Sequence, residues 1–483
     1  MSDGDSRLSA QLHQRVRALN DAPENPKGEF VFLWLQGQRR LRQNLAFSHA
    51  QRRANELGLP LVVYEGLRHD YPHASDRFHR FVLEGALDNA RDAAHRGLAY
   101  AFFLQRPDSP RGVLHSLAAR SAVAITDWLP HFIHPAQTKA WAKRAQVRIE
   151  AVDAAGVAPI AISDKAELGA RTLRPKLHKK WDELLQPIPE PRAKVDAPKR
   201  LDWGFEPFLK PLDDSHSGEA SRLEKEIDEA IAALPIDHAI ARISGLRGGT
   251  ASAKKRLQAF LAKDLRGYSE DRNQPDSGKS SWLSPFLHFG HLGALEIALA
   301  ARDSGLPKAD IDEFLEELIV RRELALNFCA KVPRHESIEA LPGWATQTLH
   351  QHVKDKRPYL LSDRQLERAQ TPDPLWNAAQ RQLVAEGRIH NYLRMLWGKL
   401  ILTWSEDAKE TLRRMRWLND KYALDGRDFN SASNFLWCLG LHDRPFPERE
   451  IFGTVRSMTT RSAMSKLELD QYLARFGDQT AAP

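Results

Sequence analysis

Phe30-Val31-Phe32-Leu33-Trp34-Leu35 is a run of six apolar residues, followed at once by Gln36-Gly37-Gln38-Arg39-Arg40. A short run without alternation suits a strand buried on both faces, as in a parallel sheet. Working outward, an amphipathic stretch from about Asn44 to Leu57 precedes a second strand at Leu61-Val62-Val63-Tyr64. Ser75 to His95 reads as a long helix. Further strands follow at Tyr100-Ala101-Phe102-Phe103-Leu104, at Ala122-Val123-Ala124-Ile125-Thr126, and from Val147 to Val152. Strands alternating with helices at this spacing predict a doubly wound, Rossmann-like α/β domain. The turn after the first strand holds one glycine, Gly37, where close approach to a pyrophosphate needs a glycine series. That argues against a nicotinamide dehydrogenase.

At 483 residues the chain exceeds one ordinary core, so two domains are expected. Hydrophobic content of 42% and charged content of 28% fit a globular protein, and no apolar run has the length of a membrane span. The polar N-terminus lacks the apolar core of a secretion signal, so residues 1–28 read as a flexible arm on a cytoplasmic protein. The domain boundaries expected are 29–170 for the α/β domain, 171–217 for a Pro-rich linker, 218–475 for an all-helical domain and 476–483 for a tail. Cys329 and Cys438 are too few for a disulfide framework or a metal cage and read as buried thiols; no zinc or P-loop spacing occurs. Net charge of +7 permits a polyanionic partner without proving one. Eight of the 12 Trp lie from Trp203 onward, which fits core packing, stacking or electron transfer.

In the helical half, Ser284-Pro285 predicts a capped helix start that could also hold a phosphate. Glu313 to Cys329 carries Glu316, Glu317, Arg321, Arg322 and Glu323 among apolar residues. Glu317 and Arg321, four apart, are expected to pair. Asp373-Pro374 starts another helix, Gly387 breaks it, and Trp397, Ile401 and Trp404 share a face of the next. Leu418 to Asp428 reads as a polar, turn-rich segment.

These segments, in this order, resemble class II cyclobutane pyrimidine dimer photolyases of the photolyase/cryptochrome family. The resemblance rests on Arg272-Asn273 with a following proline, Leu283-Ser284-Pro285 through Gly290, Phe314 to Glu323, Asp373-Pro374-Leu375-Trp376-Asn377, Arg394-Met395 with Trp397-Gly398-Lys399, and Leu424-Asp425-Gly426-Arg427-Asp428. Ala54-Asn55-Glu56-Leu57, Leu61-Val62-Val63 and Leu83-Glu84-Gly85 extend it into the first domain, for coverage from about residue 30 to 472. It implies an antenna domain, with a deazaflavin as a suitable chromophore, joined to a helical domain that holds reduced, U-shaped FAD. By resemblance Tyr268, Leu283 and Ser284 surround the phosphates and ribityl chain. Arg394 and Asp425 flank the flavin ring, Asn419 faces its N5, and Asp428 joins the cofactor set. Trp397, Trp376 and Trp404 match the family's electron route. Glu317 matches the lesion-contacting glutamate, Trp437 a wall for flipped bases, and Arg272, Arg321, Phe446 and Arg456 further contacts to UV-damaged DNA carrying pyrimidine dimers. The implied enzyme is a light-driven, monomeric DNA repair lyase without membrane attachment.

The chain departs from the family at Ala330 and Lys331, at Ser431 to Asn434, and at Asn391, Leu396 and Ser457, mostly by losing aromatics. Those losses favour a competing reading, a cryptochrome-like blue-light photoreceptor with weak or no repair. A third reading, a purely structural nucleic-acid binder, leaves the flavin motifs unexplained.

Overall fold

The structure is a computed structural model that describes residues 3–212 and 219–478. Parts of the expected arm (residues 1–2), linker (213–218) and tail (479–483) lie outside the described residues. The described chain divides into two compact units, one of which holds residues up to Ile162, Lys180–Leu257 and Leu283–Asp303. The other holds Ser163–Lys179, Gln258–Trp282 and the chain from Ser304 onward.

The first unit is built on a six-stranded sheet. Its strands are β1 (Val16–Ala18), β2 (Phe30–Leu35), β3 (Leu61–Leu67), β4 (Ala99–Leu104), β5 (Ser121–Asp127) and β6 (Ile149–Val152), in the order β1-β6-β5-β2-β3-β4. β2 to β6 pair in parallel, with Leu33 opposite Val63 on one side and Ile125 on the other. The two-residue period divides the opening hexapeptide between two cores. Val31, Leu33 and Leu35 pack with residues of the Leu45–Leu57 and Asp76–His95 helices. Phe30, Phe32 and Trp34 pack with the Val113–Arg120 and His134–Arg144 helices, where Trp141 meets Trp34 edge-on at 5.2 Å. Each such buried side chain contributes roughly 1.5–3 kcal/mol.

Strand order reverses at β2, the crevice where open α/β sheets usually take a ligand. Here Asp127, at the end of β5, fills it from within. Its carboxyl oxygens accept the backbone N–H groups of Gln36, Gly37 and Gln38 at 2.8, 2.8 and 3.0 Å. A Cβ at Gly37 would lie 2.0 Å from Leu129 Cδ1, so any side chain there would force Leu129 to move.

Three sequence expectations are corrected in this unit. Part of the presumed flexible arm is ordered: Asp3–Leu12 is a helix with Leu8 and Leu12 buried, and β1 runs antiparallel to β6 with Val16 opposite Val152. The Glu219–Ala232 helix belongs to the sheet unit rather than the helical one, since Leu223, Ile227 and Ile231 enter the core that contains Val31 and Leu33. Ser284 does not cap its helix. Leu283 holds the cap position, no side chain caps that end, and Ser284 is an exposed first residue of the five-residue Ser284–His288 helix.

Among the described residues of the second unit there is no strand, as the helical periodicity predicts. Its helices include Lys308–Leu315, Arg322–Lys331, Pro374–Glu386, Asn391–Thr403, Ala408–Tyr422 and Phe429–Cys438. Glu316–Arg321, between the first two, is a π-helical segment, a local widening that often marks functional sites.

Candidate functional site

The second unit gathers most of the singled-out residues. Asp373 caps the Pro374–Glu386 helix by accepting the Trp376 N–H at 2.9 Å, and Gly387 closes it in a left-handed conformation. The Gly387 carbonyl then accepts the Leu424 N–H at 2.9 Å, which ties this helix end to the turn that carries Asp425. Asp425 receives Arg394 Nη2 at 3.0 and 3.2 Å, and both side chains are largely buried. The turn tolerates only glycine at 426, where a Cβ would stand 2.8 Å from the Asn419 carbonyl. Asn419 is buried and directs its amide toward Ser431 Oγ at 3.4 Å; that hydroxyl donates to the Asp425 carbonyl at 3.1 Å. Arg394, Asn419 and Asp425 are therefore brought together. The stretch read as turn-rich is only partly so: Leu418 to Tyr422 continue the Ala408–Tyr422 helix, with Leu418, Asn419 and Tyr422 on its buried side. Asp428 accepts the Asn430 N–H at 2.9 Å, which caps the Phe429–Cys438 helix.

One helical turn beyond Arg394 lies Trp397. Its ring stacks on Trp376 with centroids 6.1 Å apart and planes 5° apart, and Trp404 meets Trp376 edge-on at 5.4 Å. All three are buried. Trp376 Nε1 donates to the Trp397 carbonyl, and Trp397 Nε1 to Gln380 Oε1, each at 3.0 Å.

A second cluster surrounds Glu317. Arg272 reaches Glu317 at 3.3 Å and Glu313 at 2.6 Å. Tyr268 packs edge-on against Phe314, and burial together with the Glu317 charge pushes its hydroxyl pKa well up. Burial also raises the Glu317 carboxyl pKa, against the opposing pull of Arg272 and Arg321. The expected Glu317–Arg321 pair does not form. In the π-helical segment, residues five apart come round together, so Arg321 pairs instead with Glu316 at 3.3 Å, and Arg174 holds the same carboxylate at 2.7 Å. The Arg321 guanidinium lies 5.6 Å from the centre of the Trp437 ring, close enough for a cation–π contact. Arg456 lies over Phe446 at 4.3 Å and grips Asp443 through two hydrogen bonds of 3.0 and 3.1 Å.

Leu283 and Ser284 are assigned to the sheet unit, whereas the residues just described are assigned to the helical one. One residue that sequence reasoning did not single out is Arg322. It is buried against Phe429 at 4.5 Å, yet its Nε and Nη1 have no hydrogen-bond partner among the described residues. The signal available was a second arginine inside the apolar Leu318-to-Leu326 stretch. His390 Nδ1 is likewise buried without a partner, and burial lowers that imidazole to about 4. Orphaned donors cost roughly 1–3 kcal/mol each unless a bound group satisfies them. A buried ion pair, a neutral amide, an indole stack and an unsatisfied guanidinium together fit an aromatic, anionic, redox-active cofactor such as a flavin. The two cysteines are buried and free, as expected, and burial raises both thiols.

No family model matches the chain. A deoxyribodipyrimidine photo-lyase of Methanothermobacter thermautotrophicus is 36% identical over 464 residues, which covers 96% of this chain and 98% of that protein. One of Oryza sativa subsp. japonica is 35% identical over 477 residues and covers 95% and 90%. Among solved structures, a class III photolyase of Agrobacterium tumefaciens matches with a TM-score of 0.67 over 93% of this chain and 86% of that one; at 18% identity the likeness shows the fold alone.

Proposed function

The chain belongs to the photolyase/cryptochrome family, and from that premise we propose that it is a class II enzyme that repairs cyclobutane pyrimidine dimers in DNA under light. The observation that carries this reading is the buried Trp404–Trp376–Trp397 stack ending one turn from the Arg394–Asp425 pair, wiring that a hydrolase or a plain DNA binder would not need. FAD, when bound, supplies the light-driven electron. Arg394 and Asp425 would hold its ring, Asn419 would offer a neutral amide rather than a charge, and Tyr268, Leu283, Ser284, Arg322 and Asp428 complete the proposed set. A deazaflavin suits the antenna role in the sheet unit.

Enzymes of this kind, photolyases among them, take the target base out of the stack, which is cheaper at a damaged step. Glu317 would then hydrogen-bond the flipped bases: a protonated carboxyl donates to a thymine carbonyl, and an ionised one accepts its N3–H. Trp437 presents an apolar face to them. Arg272, Arg321, Phe446 and Arg456 serve the strand and its gap, so binding should weaken with salt. No helix among the described residues is long and apolar enough to cross a membrane. The proposed substrate, DNA, is the ground on which we place the protein, as a monomer, inside the cell.

The test incubates reduced protein with a dimer-containing oligonucleotide in blue light and in darkness, and quantifies restored thymines. Restoration only in light is expected. None in light, with the reduced cofactor bound, would favour the photoreceptor reading that the lost aromatics at Ala330, Lys331 and Ser457 allow.

A further inference from the structure

We propose that Gln380, by offering Trp397 an acceptor too weakly basic to take its proton, leaves the indole N–H intact while that ring carries a positive hole, so that the stack conducts as protonated radical cations. The inference rests on the electron-route reading above. Gln380 is fully buried, and its Oε1 accepts Trp397 Nε1–H at 3.0 Å. Its orientation follows from chemistry, because an indole nitrogen only donates and so must face the amide oxygen. The other amide atom, Nε2, donates to the Glu367 carbonyl at 3.4 Å. The ionisable groups that this hydrogen-bond network reaches are Glu367, Lys421 and Tyr422. The Glu367 carboxylate is engaged by Lys421 at 2.7 Å and Tyr422 at 2.8 Å, while Gln380 touches only its backbone. Trp376 Nε1–H also ends on an amide oxygen, the Trp397 carbonyl.

Oxidation makes an indole N–H strongly acidic, and a basic neighbour would take its proton. The neutral radical left behind is a trap, since refilling it requires the proton to return. Amide oxygens are too weakly basic to take it. Trp397 gives one electron to a photoexcited, oxidised flavin, Trp376 gives one to Trp397, and Trp404 gives one to Trp376. No N–H bond breaks at Trp397 or Trp376, and an added thiol, as external one-electron reductant, refills Trp404. Gln380 is thus a positioning residue.

The test uses the FAD-loaded protein with Gln380→Glu, Gln380→His and Gln380→Leu variants, and flash spectroscopy that distinguishes indole radical cation from neutral radical. Wild type and Gln380→Leu, neither offering a base, should show the cation at every pH from about 6 to about 9. Gln380→Glu should resemble them while its carboxyl is protonated, then lose the cation signal to the neutral radical as rising pH ionises it; Gln380→His should do the same as it becomes neutral. pH-independent cation signals in both basic variants would overturn the proposal, as would a wild type that already shows the neutral radical at Trp397. A wild type with no tryptophan radical at all would instead overturn the electron route itself. Ultraviolet resonance Raman of the flavin-free chain in the dark gives a second readout. The indole N–H band should shift in Gln380→Leu, and an unshifted band would refute the hydrogen bond.

Discussion

Truncating Glu317 to alanine isolates lesion recognition from folding. Arg272, its partner at 3.3 Å, keeps Glu313 at 2.6 Å, so the substitution strands no cation. What is lost is the carboxyl group's hydrogen bonding to the flipped bases. Hydrogen bonds to charged groups contribute about 1.5–3 kcal/mol, which corresponds to roughly 10- to 150-fold in Kd. Glu317→Gln retains a neutral acceptor and donor and should lose only about 0.5–1.5 kcal/mol, or roughly 2- to 12-fold. Undamaged duplex, held by phosphate contacts that carry no base information, should bind both variants like wild type. The assay is a dark titration of FAD-loaded protein, at one fixed salt concentration, with matched oligonucleotides that contain or lack a dimer. Expected is a collapse of the damaged-to-undamaged ratio with flavin absorbance unchanged. Equal weakening toward both DNAs, or no change toward either, would refute the assignment.

Trp376→Phe should interrupt the stack at its middle ring, which touches both others, and suppress light-driven reduction of bound oxidised flavin; absorbance under continuous blue light measures this. Gly426→Ala forces a Cβ to within 2.8 and 2.9 Å of the Asn419 and Ala423 carbonyls, and the backbone must shift. Such overpacking costs about 1–3 kcal/mol and should weaken FAD binding in a fluorescence titration, whereas unchanged affinity would count against Asn419 and Asp425 as ring contacts. Burial lowers His390 and His442 to about 4 and His291 to about 3. The folded chain therefore binds fewer protons than the unfolded one. Their contribution is complete above the unfolded pKa of about 6.5 and lost as pH falls, by about 2 kcal/mol per histidine near pH 5. His238, raised by Asp76, and His352, raised by Asp355 and Glu448, work in the opposite sense but are two groups against three. The thermal unfolding midpoint should drop between about pH 7 and pH 5, and a flat profile would contradict this balance.

The sheet was legible because period and burial coincide: Phe30 to Leu35 is apolar throughout, and a strand covered on both faces demands that. Caps were legible where side-chain chemistry is local, as at Asp373 and Gly387. They were misread at Ser284, which is the first residue of its helix and leaves the cap position to Leu283, a side chain with no oxygen to offer. β1 escaped notice because three residues with one partner strand leave no pattern. The Glu317–Arg321 pair failed for a different reason: composition does not reveal a π-helical turn, which moves every partner by one position. Arg322 was visible only as one charge among five, and its burial depends on the Phe429 ring supplied from about a hundred residues away. Leu418 to Tyr422 looked like a turn because its polar residues dominate, although three buried positions continue the helix.

The Asp127 carboxyl group has one more consequence. A side chain fixed at the mouth of the sheet competes for those three amides at an effective concentration no diffusing anion matches, so it acts as a permanent plug. Evolution of a nucleotide cradle at that mouth would require losing the plug first, and any pigment phosphate carried by this half must be gripped by other donors.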